Sequence, residues 1–159
     1  MKKLDIYLET SIFNFVFADD APDKRDDTLI LFEEIRTGKH NVFTSMATVE
    51  ELGKANEPKQ TQMMDLITEY SIRVVQLTEN SELLAEKYIQ EGMIPVKYRD
   101  DAVHIAIASV SGADVIVSWN FKHIVKLKTK LLTEEINVRE GYKSIEIYSP
   151  TEVIENENE

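Results

Sequence analysis

Val115, Ile116 and Val117 form an unbroken run of apolar, β-branched residues between Asp114 and Ser118. A strand with one wet face alternates polar and apolar residues; a run without alternation has to be covered on both faces. That requirement points to a parallel sheet with helices above and below it. The rest of the chain fits this plan, because short β-prone runs alternate with amphipathic ones. Ile6–Leu8, Val42–Thr44, Ile72–Leu77 and Ile145–Tyr148 read as the other strands. Helical spacing of apolar residues predicts helices over Asp26–Thr37, Ser81–Gln90 and Asp101–Val110. Another follows the second strand, capped by Ser45 or Thr48, and a further one starts at Pro58. Gly38 and Gly112 stop two of these helices, Asp19–Asp23 reads as a solvated loop, and Trp119–Leu132 is less regular but mostly helical. The expectation is an α/β three-layer sandwich with a central parallel sheet, one domain over residues 1–150, and a frayed polar tail over 151–159.

The chain carries 18 basic and 29 acidic residues, for a net charge of −11, and has no cysteine. Without cysteine there is no disulfide, thiolate zinc site, iron–sulfur cluster or thiol nucleophile, which suits a reducing cytoplasm. No apolar run approaches the roughly 18 residues of a membrane span. The opening MKKLDIYLE is interrupted by Asp5 and Glu9, unlike a signal peptide. Strong acidity argues at first against a nucleic-acid partner, but what matters is where the acids fall.

In a parallel sheet covered on both faces, ligands bind beyond the C-terminal strand ends, where the strand order reverses. Glu9 follows the first strand, Glu50 and Glu51 lie shortly after the second, and Asp100 and Asp101 open the small-residue helix. Asn120 follows the fourth strand through Ser118 and Trp119. Gathered carboxylates repel unless a cation neutralises them, and hard oxygen ligands select Mg²⁺ or Mn²⁺. The same residues have structural readings as well. Thr48 and Glu51 are spaced as a capping box, Asp100 suits a helix cap, and Glu9 suits a helix start before Thr10 and Ser11. His40 reads as solvated, and Trp119 as core or rim.

LETSIF at 8–13, TVEEL at 48–52, RDDAVHIAIA at 99–108 and GADVIVSWNFKHI at 112–124 together resemble the PIN-domain nucleases, in their VapC-related branch. The resemblance implies a PIN-like fold, metal-dependent cleavage of RNA, and catalytic and metal-binding positions at Glu9, Glu51, Asp101 and Asn120. Glu9 stands where the family usually has Asp, and Asn120 where an acid is frequent, which weakens a second metal most. A toxin role would bring an antitoxin partner and a homodimer. Thr10, Ser11, Asp100 and His104 are expected to support the ligands rather than to bind metal. Lys122, Lys126, Lys128 and Lys130 read either as a solvated helix face or as a strip for RNA phosphates, extended by Lys97 and Arg99. His123 reads as an RNA contact or a local hydrogen-bonding group. The rival is a catalytically weak or inactive PIN-fold domain that binds RNA or protein. A phosphatase ranks lower, since the chain has neither a Gly-rich phosphate loop nor an Asp-x-Asp pair after the first strand.

Overall fold

A computed structural model describes residues 2–155. Five strands form one sheet in the order β3-β2-β1-β4-β5: β1 Asp5–Leu8, β2 Asn41–Ser45, β3 Arg73–Val75, β4 Val115–Val117 and β5 Glu146–Tyr148. Every pairing is parallel, with Tyr7 level with Phe43 on one side and with Ile116 on the other. The chain builds outward from β1 through β2 to β3, then returns to the far side of β1 with β4. The strand order therefore reverses between β1 and β4, and in parallel sheets ligands bind beyond the C-terminal strand ends at such a reversal.

Two buried clusters sandwich the sheet. Ile6, Leu8, Val115 and Val117 face one cluster with Phe13, Leu31, Phe32, Leu52 and Met63. Those partners come from α1 Thr10–Phe15, α2 Pro22–Arg36, α3 Met46–Leu52 and α4 Lys59–Glu69. Tyr7, Phe43 and Ile116 face the other, with residues of α5 Glu79–Gln90, α6 Arg99–Val110 and α7 Leu127–Arg139. The Val115–Val117 run thus feeds both layers, and burial of each of its side chains contributes about 1.5–3 kcal/mol.

Several local expectations change. Helix α2 begins at Pro22 rather than Asp26, because proline suits the first helical position, where no N–H is needed, and Asp23 complements the dipole. Ser45, not Thr48, caps α3: its backbone is still extended and its hydroxyl accepts Ala47 N–H, while Thr48 is buried within the helix. The N-cap of α6 is Tyr98, so Asp100 lies exposed in the first turn. Residues 120–126 are a tight turn, in which Ile124 and Val125 N–H both bond Asn120 O, and α7 starts only at Leu127. Leu83 is exposed on α5, whereas Leu84 and Tyr88 are buried. His40 is half-buried, and burial lowers its pKa.

The polar end is not a frayed tail as far as it is described. Ser149 and Glu152 form a capping box for a final turn, α8 Pro150–Val153, which packs against α2. Glu155 then donates its N–H to buried Glu34 at 2.8 Å and pairs with Lys39. The tail beyond residue 155 lies outside the described residues. Gly38 and Gly112 end α2 and α6 at φ of +78° and +77°, a left-handed conformation that side chains with a Cβ disfavour.

Candidate functional site

Strand β1 ends at Leu8 because Glu9 turns the chain into α1. Glu9 is the N-cap of that helix, and its Oε1 accepts from both Ser11 N–H, at 3.1 Å, and Ser11 Oγ–H. A third bond to the same oxygen comes from Ser118 Oγ, 2.7 Å away at the end of β4. Ser11 Oγ in turn accepts Trp119 N–H at 2.8 Å, so both strand ends are clamped around one carboxylate. These bonds fall on one oxygen of Glu9 and hold the side chain, 5% exposed, without involving the other.

Glu51 arrives from α3, on the next strand's connection. Its Oε1 lies 2.7 Å from Nε2 of His104, a fully buried residue of α6. His104 Nδ1 lies 2.6 Å from the Tyr7 hydroxyl, which also contacts Ser45 Oγ at 2.7 Å. Thr10 Oγ stands 3.3 Å from the same Nε2 and 3.5 Å from Thr48 Oγ. Burial works to raise the Glu51 carboxyl, but the His104 hydrogen bond and charge, with Thr10 and Lys54, hold it below its ordinary value. Burial likewise disfavours the His104 imidazolium, and is outweighed by Tyr7, the Glu51 hydrogen bond and the charge of Glu9, so its pKa lies well above the usual histidine value.

One ligand atom each from Glu9, Glu51 and His104 lies within 4.8 Å of the others. His104 closes this group with its Nε2 engaged by Glu51. Asp101, one turn before His104 on α6, forms an adjoining set. Its Oδ2 lies 2.9 Å from His123 Nδ1, and Asn120 bonds it as well. Burial pushes the Asp101 carboxyl up, against the pull of these two partners. Asn120 Oδ1 accepts His123 N–H at 2.9 Å, which fixes the turn after β4. The structure thus brings Glu9 and Glu51 together, and links Asp101 at the start of α6 to Asn120 and His123 on the turn after β4.

The remaining expected residues are spread out. Asp100 points to solvent and takes no part in these bonds. Lys122 Nζ lies 5.2 Å over the Tyr98 ring, and Lys126 and Lys128 are exposed at the start of α7. Arg99 is drawn away to Glu86 at 2.7 Å. Sequence reading missed Ser118 and Tyr7. Ser118 carried a signal, as the first polar residue after an apolar strand; Tyr7, an aromatic within a strand, looked like plain core.

Neither a protein-family model nor a curated protein sequence matches the chain. Solved structures do match. VapBC2 from Rickettsia felis, bound to a DNA fragment from its promoter, aligns at 13% identity and TM-score 0.57, over 92% of this chain and 98% of that one. VapBC-1 from nontypeable Haemophilus influenzae aligns at 16% and 0.56, over 93% and 99%. VapBC-5 from Mycobacterium tuberculosis, of the VapBC family of toxin–antitoxin systems, aligns at 15% and 0.51, over 92% and 98%. At such identities the likeness is one of fold, and the fold of this chain is that of a VapC-like PIN domain.

Proposed function

We propose that this chain is a metal-dependent ribonuclease, acting as the toxin of a toxin–antitoxin pair. The observation that carries the reading is the approach of Glu9, Glu51 and His104 within 4.8 Å at the strand-order reversal, with Asp101 one helical turn away. The VapBC-like fold supports it, and among the described residues no helix is long and apolar enough to cross a membrane.

The donor set fits a hard divalent cation, Mg²⁺ or Mn²⁺. Glu9 is a buried carboxylate whose hydrogen-bond donors are hydroxyls and one backbone N–H, and Glu51 stands beside it. Glu9, Glu51 and Asp101 would hold the cation, with Asn120 at the margin. Such a cation lowers the pKa of a bound water and stabilises the oxyanions of phosphodiester cleavage. The protein's own part is to aim its ligands: Ser11 and Ser118 fix Glu9, His104 fixes Glu51, and His123 with Asn120 fixes Asp101. Gathered acids repel a phosphate, so the scissile phosphate should settle among them only when that charge is offset, whereas flanking nucleotides can be held without it. Lys122, Lys126 and Lys128 would then meet flanking phosphates. The same reading gives the chain an antitoxin protein and a second copy of itself as partners.

A second reading, an RNA- or protein-binding domain with little activity, is favoured by Asn120, whose amide oxygen is already engaged by His123 N–H. Incubation of labelled RNA with Mn²⁺ decides between them. The nuclease reading expects cleavage that EDTA stops and that Glu9→Gln or Asp101→Asn lowers by about 100-fold or more. Cleavage unaffected by EDTA and by Asp101→Asn would overturn it; no cleavage by the intact protein would favour the binding domain.

A further inference from the structure

Two clusters of rings and lysines stand beside the acidic group. In the first, the Tyr98 ring stacks on His123 with centroids 4.0 Å apart and planes 37° apart. Lys122 and Lys97 place their ammonium groups 5.2 and 5.8 Å from the centre of the same ring. In the second, Phe121 lies 6.0 Å from Trp119, and Trp119 lies 5.7 Å from Phe15. Lys24 Nζ sits 5.2 to 5.7 Å from all three ring centres.

The short segment from Trp119 to His123 joins the clusters. It gives Trp119 and Phe121 to one, Lys122 and His123 to the other, and carries Asn120 between them. His123 is also the residue that holds Asp101. Phe121 is 46% exposed, beside a residue of the candidate site, and Tyr98 is half-buried at the start of α6. Hydrophobic packing accounts for Trp119, which is buried with its indole N–H on Thr28. Phe121 packs on its edge but keeps nearly half of its surface exposed.

Aromatic rings with lysines over them suit a nucleobase with its phosphates: a base takes the place of the flexible ammonium on the ring face, and the ammonium swings to meet the backbone. Base faces are free in a single strand, whereas in a duplex they are covered by neighbouring pairs. We propose that Tyr98 and Phe121 are two base-stacking subsites for single-stranded RNA, with Lys97, Lys122 and Lys24 contacting the adjoining phosphates. A strand that uses both rings crosses the 119–123 turn and passes Asn120 and Asp101. This deepens the ribonuclease reading by naming the two rings that would hold its bases, and it rests on that reading for the choice of RNA.

The test separates binding from cleavage by working in EDTA. Fluorescence anisotropy of an end-labelled, unstructured 12-nucleotide RNA is compared with that of the same sequence as a duplex. The expected result is tighter binding of the single strand, weakened about 5- to 100-fold by Tyr98→Ala or Phe121→Ala. Tyr98→Phe and Phe121→Tyr should keep wild-type affinity within about 2-fold, because either retains a ring face. Equal affinity of the alanine variants and the wild type, duplex bound as tightly as single strand, or no binding at all would overturn the proposal. Ring-dependent binding without any cleavage in Mn²⁺ would leave the subsites standing and remove the nuclease reading instead.

Discussion

Nε2 of His104 lies 2.7 Å from Oε1 of Glu51, and this contact fixes which of the two residues serves the other. An ionised carboxylate only accepts hydrogen bonds, so Nε2 carries the proton and donates whether the ring is neutral or charged. A nitrogen that donates has no lone pair for a metal. While the contact holds, His104 therefore aims Glu51 and is not itself a ligand. Tyr7, at 2.6 Å from the other ring nitrogen, braces the imidazole from inside the sheet.

Removing that brace should loosen the carboxylate. Tyr7→Phe deletes the hydroxyl from a fully buried site and leaves His104 Nδ1 facing an apolar ring. We expect a loss of about 1–3 kcal/mol in urea denaturation, the cost of an unmet buried polar group. Mn²⁺ affinity, measured by calorimetry, should fall about 10- to 100-fold, as when other outer partners of metal ligands are removed. Unchanged affinity alongside lowered stability would show that Tyr7 supports the fold only.

Asn120 holds Asp101 by hydrogen bonding where an acid would repel it. Asn120→Asp should therefore lower the stability of the metal-free protein by about 1–2 kcal/mol through like-charge repulsion. Mn²⁺ should recover that loss, so the thermal midpoint should rise more on metal addition in the variant than in the wild type. An equal rise in both would place residue 120 outside the metal's reach.

Thr28 tests the packing that supports the turn. Trp119 Nε1–H donates to Thr28 Oγ at 2.8 Å in a buried setting. Thr28→Val keeps the shape and removes the acceptor, at an expected cost of about 1–3 kcal/mol. A urea midpoint equal to that of the wild type would count against this.

Tyr88 gives the pH dependence. It is fully buried between α5, α6 and α7, bonded to Asn137 and 3.2 Å from Ser109 Oγ. Burial pushes its pKa up, outweighing both hydrogen bonds. A raised pKa means that the folded state keeps the proton more tightly than the unfolded state. The stability it contributes is complete below the unfolded value near 10 and is lost as pH rises beyond it. Denaturation curves taken between pH 8 and about 11.5 should fall more steeply for wild type than for Tyr88→Phe; parallel curves would contradict this assignment.

Much of the frame was legible from local pattern. The strands at Ile6–Leu8, Val42–Thr44 and Val115–Val117 follow from short apolar runs, and Glu9 and Asn120 follow from their places after strand ends. What failed was local competition at helix starts. Ser45 wins the cap over Thr48 because the chain is still extended there, and Pro22 carried a start signal that the neighbouring aspartates concealed. The contacts that aim the site were hidden for another reason. Tyr7 reaches His104 across 97 residues of sequence, and His123 reaches Asp101 across 22. No local periodicity encodes such pairs; they exist only once the sheet has brought β1, α6 and the turn after β4 together.

The central claim is that Glu9, Glu51 and Asp101 jointly hold a hard divalent cation at the reversal of strand order. Diffraction from crystals soaked in Mn²⁺, recorded at the manganese absorption edge, tests it most directly. The account predicts an anomalous peak contacting carboxylate oxygens of all three residues, lost in Glu9→Gln crystals. An ordered site without a peak, or a peak bound elsewhere and indifferent to Glu9, would contradict it.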